Sequence, residues 1–474
     1  MRYGALLRVS KNASMVLLGT VIRMALAFAF VIYAARYFGV EGYGKFALTL
    51  NLFETFLSLS ATGLCILVTR ETAKDSAWLG RNLRAALTVV IALGAGAGGA
   101  LCGVAYLAGY APDTQQALSV AAIALLPASI STLAEAIFVA WERAEYVAVG
   151  TATESFARTG LCFVLLWSGY GLVSLFVVLI GTRLAQLGLY SVLVLRRLPR
   201  VEWRAEKGNM RVLLRQWRVF AAENWLSTLS NGMDEFLLSL FRGEAAVGIY
   251  DAAWKLIRLS AVVARAFTTA VFPYISRLYV RAEETFHRVN LHSIKYILAG
   301  LLPVVIGISV MSERIVLFLY GSQFASSVPV LRVLAWLMIP QFLNPFLSHI
   351  LFARHEQHRS LIVAAVNLTT FGAASFLLIP AWGPVGAAVA VLTSALTAFC
   401  CYLAFCVWGR HSLKLLVILA RQAVAAAVLC TFLFCMRNSD LLPVVLIGAA
   451  LYATMLIALR IVTWSDFKLL QELH

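Results

Sequence analysis

The sequence predicts an all-α polytopic membrane protein of about fourteen transmembrane helices: two parallel six-helix repeats, then two C-terminal helices. Three observations predict it: composition, the distribution of basic residues, and an internal repeat. Of the 474 residues, 61% are hydrophobic and 13% charged, with a mean hydropathy of +0.84. Soluble domains sit near roughly 45–50% apolar and about 25% charged, so an ordinary globular enzyme or a disordered chain is excluded.

A span needs about 20 apolar residues. Apolar windows fall at 12–34, 46–67, 85–108, 117–141, 147–167, 171–195, 219–241, 249–275, 294–318, 328–352, 360–379, 384–408, 415–436 and 441–462. The first carries Arg23 and lacks a small-residue cleavage site, so it is expected to be an uncleaved helix and not a signal peptide.

Orientation follows from charge. With both termini cytoplasmic, 27 of the 39 lysines and arginines fall in cytoplasmic segments or toward the cytoplasmic ends of spans, and four (Arg36, Lys45, Arg242, Arg437) fall opposite. Such a bias is the positive-inside signature. It accounts for most of the formal charge of +16, so nucleic acid is not an expected partner. The longest basic connection, residues 196–218, reads as a cytoplasmic linker, part of it an amphipathic helix on the anionic leaflet. It separates an N-terminal six-helix bundle (1–195) from a C-terminal one (219–408), with two extra helices and a short tail in 409–474.

The halves resemble each other. GVEGYGKFA from Gly39 matches GEAAVGIYDAA from Gly243, placing Gly44 on Gly248 at a separation of 204. YGLVSLF near Gly171 matches WGPVGAA near Gly383, placing Tyr190 on Tyr402 at a separation of 212. Six helices lie between matched segments, so both copies point the same way, and a binding site is expected between the bundles at mid-depth.

Ionisable residues inside a bilayer cost several kcal/mol, face protein or a wet cavity, and are functional candidates. Helix eight carries Asp251, Lys255, Arg258, Val262 and Arg265 in steps of four and three, all on one face. Helix seven carries Asn224, Ser227, Asn231 and Asp234 on a similar stripe. Helix two offers Asn51, Glu54 and Ser58, and helix one Arg23. By the repeat, Glu54 corresponds to Arg258 and Asn51 to Lys255. Helices one, two, seven and eight are therefore expected to line the interface. Arginine's planar fork suits phosphate, so the basic stripe points to an anionic, phosphate-bearing substrate. Glu135, Glu154, Arg158, Arg183, Glu313, Arg314 and Arg332 read equally well as local ion pairs or snorkelling ends.

Other motifs carry little. Gly94 to Gly99 formally matches a dinucleotide fingerprint but lies inside a span, where small residues serve close packing. His355 and His358 occupy a charged turn without further ligands. No cofactor or metal is expected. The eight cysteines all fall in apolar stretches and read as small hydrophobes. By these spans every outer loop is about 11 residues or shorter, leaving no room for a catalytic domain, so an enzyme is not expected.

ARYFGVEGYGKFALTL (Ala35 to Leu50), the Gly63 region, VGIYDAAWKLIRL (Val247 to Leu259) and FPYISRLY (Phe272 to Tyr279) resemble the Wzx-type polysaccharide flippases of the MOP exporter superfamily. The resemblance implies a multi-pass protein of the bacterial inner membrane. Its cargo would be an undecaprenyl-diphosphate-linked oligosaccharide, moved to the periplasmic leaflet by alternating access. It gives diphosphate binding to Arg23, Lys255, Arg258 and Arg265, and ion pairing or proton coupling to Glu54, Asp234 and Asp251. Implied partners are the polyprenyl-diphosphate-linked glycan, membrane lipids, a polysaccharide polymerase and glycosyltransferases. A lipid II-type flippase, a cation-coupled multidrug exporter and a non-transporting scaffold of a glycan-assembly complex are the alternatives. The basic stripe disfavours the exporter, and buried charge disfavours the scaffold.

Overall fold

In a computed structural model, residues 2–197, 209–281, 283–407, 412–436, 439, 441–459 and 461 are described. The elements are α1 (Arg2–Leu57), a π-helical turn (Ser58–Thr62), α2 (Gly63–Lys74), α3 (Ser76–Leu107), α4 (Pro112–Ala140), α5 (Ala144–Trp167), α6 (Leu172–Arg197) and α7 (Asn209–Arg242). They continue as α8 (Glu244–Arg281), α9 (Glu283–Val310), α10 (Ser312–Tyr320), a short 3-10 turn (Ser322–Phe324), α11 (Ser327–Ala353), α12 (Gln357–Val407), α13 (Ser412–Cys435) and α14 (Leu441–Ala458). Two continuous runs hold two spans each, because Gly39 and Gly383 turn the chain at φ 70° and 58°. With those turns, each of the fourteen expected spans falls mainly on helix among the described residues; the ninth breaks at Met311 and the last ends at Ala458.

Among the described residues, eight helical segments are long and apolar enough to cross a membrane. α5, α7 and α8 are not among them, although they run 24, 34 and 38 residues. At about 1.5 Å per residue each exceeds the roughly 30 Å hydrocarbon core. Length is not what they lack: Glu154, Arg158, Asp234, Asp251, Lys255 and Arg258 lie on them.

The backbone repeats itself. The described residues with positive φ are Gly39, Gly109, Glu142, Gly169, Gly243, Gly321, His355 and Gly383. They form four pairs (39 with 243, 109 with 321, 142 with 355, 169 with 383) at separations of 204, 212, 213 and 214. Left-handed residues are uncommon and mark turns, so matched spacing of every one of them reports one supersecondary plan used twice.

The chain divides into two compact units, Met1–Gly248 and Ile249–His474. In the first, α4 packs against α1, α2, α3, α5 and α6, and its Ala117, Ala121, Ala124 and Ala128 are buried. Asp75 caps α3 by accepting the Ala77 N–H at 3.0 Å. α7 also packs in this unit, along α1, the π turn and α2. Its first turns take up the end of the basic connection. Leu213 is buried with Leu64, Leu67 and Leu83, and Trp217 packs on the same cluster. Protein covers one face of this stretch, at Leu213 and Trp217, while Leu214, Arg215, Gln216 and Arg218 are exposed; residues 198–208 of the expected linker lie outside the described residues.

In the second unit α9 packs against α11, α13 and α14, and α11 against α12. Ala299 and Ile306 of α9 meet Ala425, Leu429 and Leu433 of α13 and Tyr452 of α14. The ninth span ends earlier than hydropathy indicates, at Val310. Met311 turns the chain into α10, whose Ser312, Val316 and Tyr320 are buried. The connection between α9 and α11 is therefore longer than the apolar run suggests, because one face of α10 is itself apolar.

Candidate functional site

Four sets of polar residues stand out, three in the first unit and one in the second. In the second, α8 presents its basic face as its periodicity dictates. Asp251 is 1% exposed, and Lys255 Nζ lies 3.5 Å from its Oδ1. The Arg258 guanidinium stands 5.7 Å from the centroid of the Trp254 ring, a cation–π contact, and Trp254 stacks on Tyr250. Ser327 Oγ donates to the Ile249 carbonyl at 2.7 Å, fixing the start of α11 against α8. Tyr320 is fully buried; burial, and secondarily the Asp251 carboxylate, raises its hydroxyl above the usual range. One anionic, two cationic and two aromatic groups thus share about two turns of helix. The guanidinium and ammonium can take a phosphate that displaces Asp251.

In the first unit the π turn is the organising feature. A π turn adds a residue to the helix and frees a backbone carbonyl, and such turns gather at functional sites. Here α7 supplies the donors: Asn224 Nδ2 donates to the Ser58 carbonyl at 2.9 Å and Trp225 Nε1 to the Leu59 carbonyl at 2.8 Å. Ser58 and Thr228 hydroxyls are 2.8 Å apart, and Ser60 and Ser129 hydroxyls 3.0 Å.

At the other end of α7, the hairpin into α8 closes onto the unit. A Cβ on Gly44 would stand 2.0 Å from the Glu244 carbonyl oxygen, and one on Gly248 2.2 Å from that of Val40. The two glycines matched by the repeat therefore touch through bare backbone. Beside them Lys45 Nζ lies 2.9 Å from Asp113, 3.0 Å from Glu41 and 4.0 Å from Glu244. The Ala111 N–H donates to Glu244 at 3.3 Å, and Tyr110 and Ser239 hydroxyls are 2.7 Å apart.

A third set joins α1, α4, α5 and α6. Arg158 Nε is 3.0 Å from Glu154. Arg183 lies 3.9 Å from Glu154 and 3.8 Å from Glu54, and donates to Gln186 at 3.1 Å. Gln186 Nε2 and Tyr190 OH both donate to Glu135 Oε1, at 3.3 and 3.0 Å.

The sequence-predicted residues distribute as follows. Asp251, Lys255 and Arg258 come together on α8. Glu54 is exposed on α1 and meets Arg183. Asn51 is half-buried one turn earlier. Asn224 braces the π turn. Asp234 is buried on α7, 5% exposed. Arg23 is half-buried on α1. The side chains of Asn231 and Arg265 lie outside the described residues. Sequence reasoning did not assemble Glu135, Gln186 and Tyr190 into one network; the spacing of Arg183, Gln186 and Tyr190 on one helical face was the available signal.

Residues 9–279, more than half of the chain, match a family model described as polysaccharide biosynthesis protein. Among curated proteins, the chain is 24% identical over 464 residues to a probable flippase, AglR, of Haloferax volcanii, covering 92% of each chain. It is 26% identical over 163 residues to that organism's probable low-salt glycan biosynthesis flippase Agl15, covering 34% of each. Among solved structures, the lipid II flippase MurJ in an inward closed conformation gives a TM-score of 0.72 at 14% identity, with 96% of this chain and 99% of that one covered. An inward-facing multidrug resistance MATE transporter of the MOP superfamily gives 0.67 at 16% identity, covering 84% and 96%. At such identities these structures establish the fold alone.

Proposed function

Since the chain belongs to the polysaccharide biosynthesis protein family, we propose that it is a flippase for a lipid-linked oligosaccharide. Its cargo in this reading is a glycan on undecaprenyl diphosphate, moved from the cytoplasmic to the periplasmic leaflet of a bacterial inner membrane. Both termini are cytoplasmic, as the basic residues indicate. The full-length likeness to AglR supports flippase activity. That relative and Agl15 come from an archaeon, and neither name specifies the carrier lipid.

The observation that carries the reading to a diphosphate is the Asp251–Lys255–Arg258 face of α8, basic and backed by Trp254. In the proposed mechanism the diphosphate displaces Asp251 from Lys255 and takes Arg258 as a second ligand. The resemblance assigns further charge to Arg23 and Arg265 and polar contact with the glycan to Asn51, Asn224, Asn231, Asp234 and Glu54. A ligand held equally well in both states shifts nothing, so outward opening must return Asp251 to Lys255 and weaken the grip. The same face disfavours a cationic drug as cargo.

The test is reconstitution in vesicles carrying a labelled polyprenyl-diphosphate oligosaccharide, with added glycosidase reporting the outer leaflet. The wild type exposes label from the inner leaflet. Arg258→Ala, present at equal amount, does not. Normal flipping by Arg258→Ala sinks the assignment of the diphosphate to α8, and transport restricted to lipid II selects the alternative cargo.

A further inference from the structure

We propose that Tyr320 is a positioning residue of the α8 site: its hydroxyl takes up the Asp251 carboxylate when an anion draws Lys255 away. As a step in cargo binding this rests on the diphosphate reading above; as an exchange of partners within one unit it does not.

Burial creates the need for such a residue. Asp251 is 1% exposed and its Oδ1 stands 3.5 Å from the Lys255 ammonium. Removing one partner of a buried ion pair leaves a charge uncompensated, which is strongly destabilising. The Lys255 side chain is 21% exposed and can turn toward a ligand, but Asp251 cannot turn to water. A phosphate that takes Lys255 therefore binds well only where the carboxylate finds a second donor.

Tyr320 carries a donor to spare. Its side chain is fully buried, and its hydroxyl makes no hydrogen bond among the described residues. Buried polar groups are nearly always bonded, and one left unmade carries its full desolvation penalty. α10 ends at Tyr320, where Gly321 turns the chain at φ 87°, and the ring lies 5.4 Å from that of Phe324 between centroids. Three residues beyond Phe324, the bond from Ser327 Oγ to the Ile249 carbonyl, 2.7 Å long, fixes this connection beside the first turns of α8. The Asp251 carboxylate is within electrostatic range of the hydroxyl. With Asp251 on Lys255 the hydroxyl is left over. With Lys255 on phosphate, carboxylate and hydroxyl satisfy each other, so a group unbonded in one state is bonded in the other.

The repeat shows that packing requires neither group. At 204, the separation of Gly39 and Gly243, Asp251 falls on Ala47; at 212, that of Gly109 and Gly321, Tyr320 falls on Ala108. The first copy builds the same helix start and the same turn with alanine at both positions. Carboxylate and hydroxyl are present together in one copy and absent together from the other, as groups that act on each other should be.

Two cycles on the purified full chain in lipid nanodiscs test the proposal, the first without ligand. Tyr320→Phe keeps the ring and deletes the hydroxyl alone, and Lys255→Gln removes the cation permanently. In the wild type, Tyr320→Phe should leave Tm unchanged or raised, since no hydrogen bond is lost. In Lys255→Gln it should lower Tm, and the tyrosine C–O stretch that Lys255→Gln displaces in the infrared should vanish with it. Lys255→Met serves if Lys255→Gln does not fold. The second cycle uses inorganic diphosphate as the probe: Tyr320→Phe should bind it about 10-fold more weakly, and in an Asp251→Ala background should make no difference. Equal changes in Tm with and without Lys255, or an equal loss of affinity with and without Asp251, overturns the proposal. If the wild type fails to bind diphosphate, the cargo reading of α8 falls and the first cycle still decides Tyr320. If diphosphate binds but neither cycle shows coupling, Tyr320 loses its role and the cargo reading stands.

Discussion

The backbone contact between Gly44 and Gly248 makes a quantitative prediction for Gly44→Ala. The added Cβ would meet the Glu244 carbonyl oxygen at 2.0 Å, whereas carbon–oxygen contacts settle at about 3.3–3.6 Å. The obstacle is backbone, so no rotamer change relieves it, and the start of α8 must withdraw by more than about 1 Å. Overpacking of this kind costs about 1–3 kcal/mol, equivalent to roughly 5- to 150-fold in the ratio of closed to open states. Withdrawal also stretches the Lys45–Glu244 contact, already 4.0 Å, and uncovers Ser239, which is 4% exposed beside Tyr110. The assay is reaction of Ser239→Cys with a membrane-impermeant maleimide applied from the side that the proposed orientation makes the outer one, in a background without the eight native cysteines. Gly44→Ala should raise the labelling rate by about 5-fold or more, while folded protein stays constant. Labelling at the parental rate would show that the hairpin does not act as a closure, and the argument from the paired glycines would fall.

Further outcomes follow from individual contacts. Asp251→Asn should free Lys255 for the diphosphate, so the apparent affinity for lipid-linked substrate rises while turnover falls; weaker binding would contradict the displacement step. Replacing both Asn224 and Trp225 by residues without donors leaves two carbonyls of the π turn unbonded. Interhelical hydrogen bonds in membranes average about 0.6 kcal/mol and reach about 1.7. The double variant should therefore lose about 1–3 kcal/mol, read as a lowered Tm in detergent. For Asp75, the Arg81 guanidinium and then the Ala77 N–H hold the carboxyl below its usual range. Its contribution to stability is present above the ordinary carboxylate pKa and lost as pH falls through the lowered value. Asp75→Asn should accordingly melt earlier than wild type at neutral pH and together with it in acid.

Which features were legible in the sequence depends on how local their cause is. A span is written in consecutive residues, so all fourteen were readable, including α5, α7 and α8 whose charges lower their hydropathy. The repeat was readable from Gly39 and Gly243 because a left-handed turn needs a particular residue. Glu142 and His355 complete the pattern in the structure but carry no glycine to announce it. The basic face of α8 was visible because helical periodicity alone creates it. The Glu135–Gln186–Tyr190 set was not, since its partners lie 51 and 55 residues apart on different helices and only packing joins them. The π turn was hidden because Ser58 to Thr62 reads as ordinary helix; what stabilises it, Asn224 and Trp225, lies 166 residues away. The early end of α9 escaped notice because Val310-Met311-Ser312 contains neither glycine nor proline.

The central claim, movement of a lipid-linked glycan between leaflets, is tested most directly in cells that lack the gene. The measurement is the leaflet distribution of polyprenyl-diphosphate oligosaccharides, by protection from a membrane-impermeant glycosidase. The account predicts completed, protected oligosaccharide on the cytoplasmic face, reversed by the wild-type chain and not by Arg258→Ala. An unchanged distribution, with sensitivity to cationic drugs raised instead, would contradict it and turn α8 over to a different cargo.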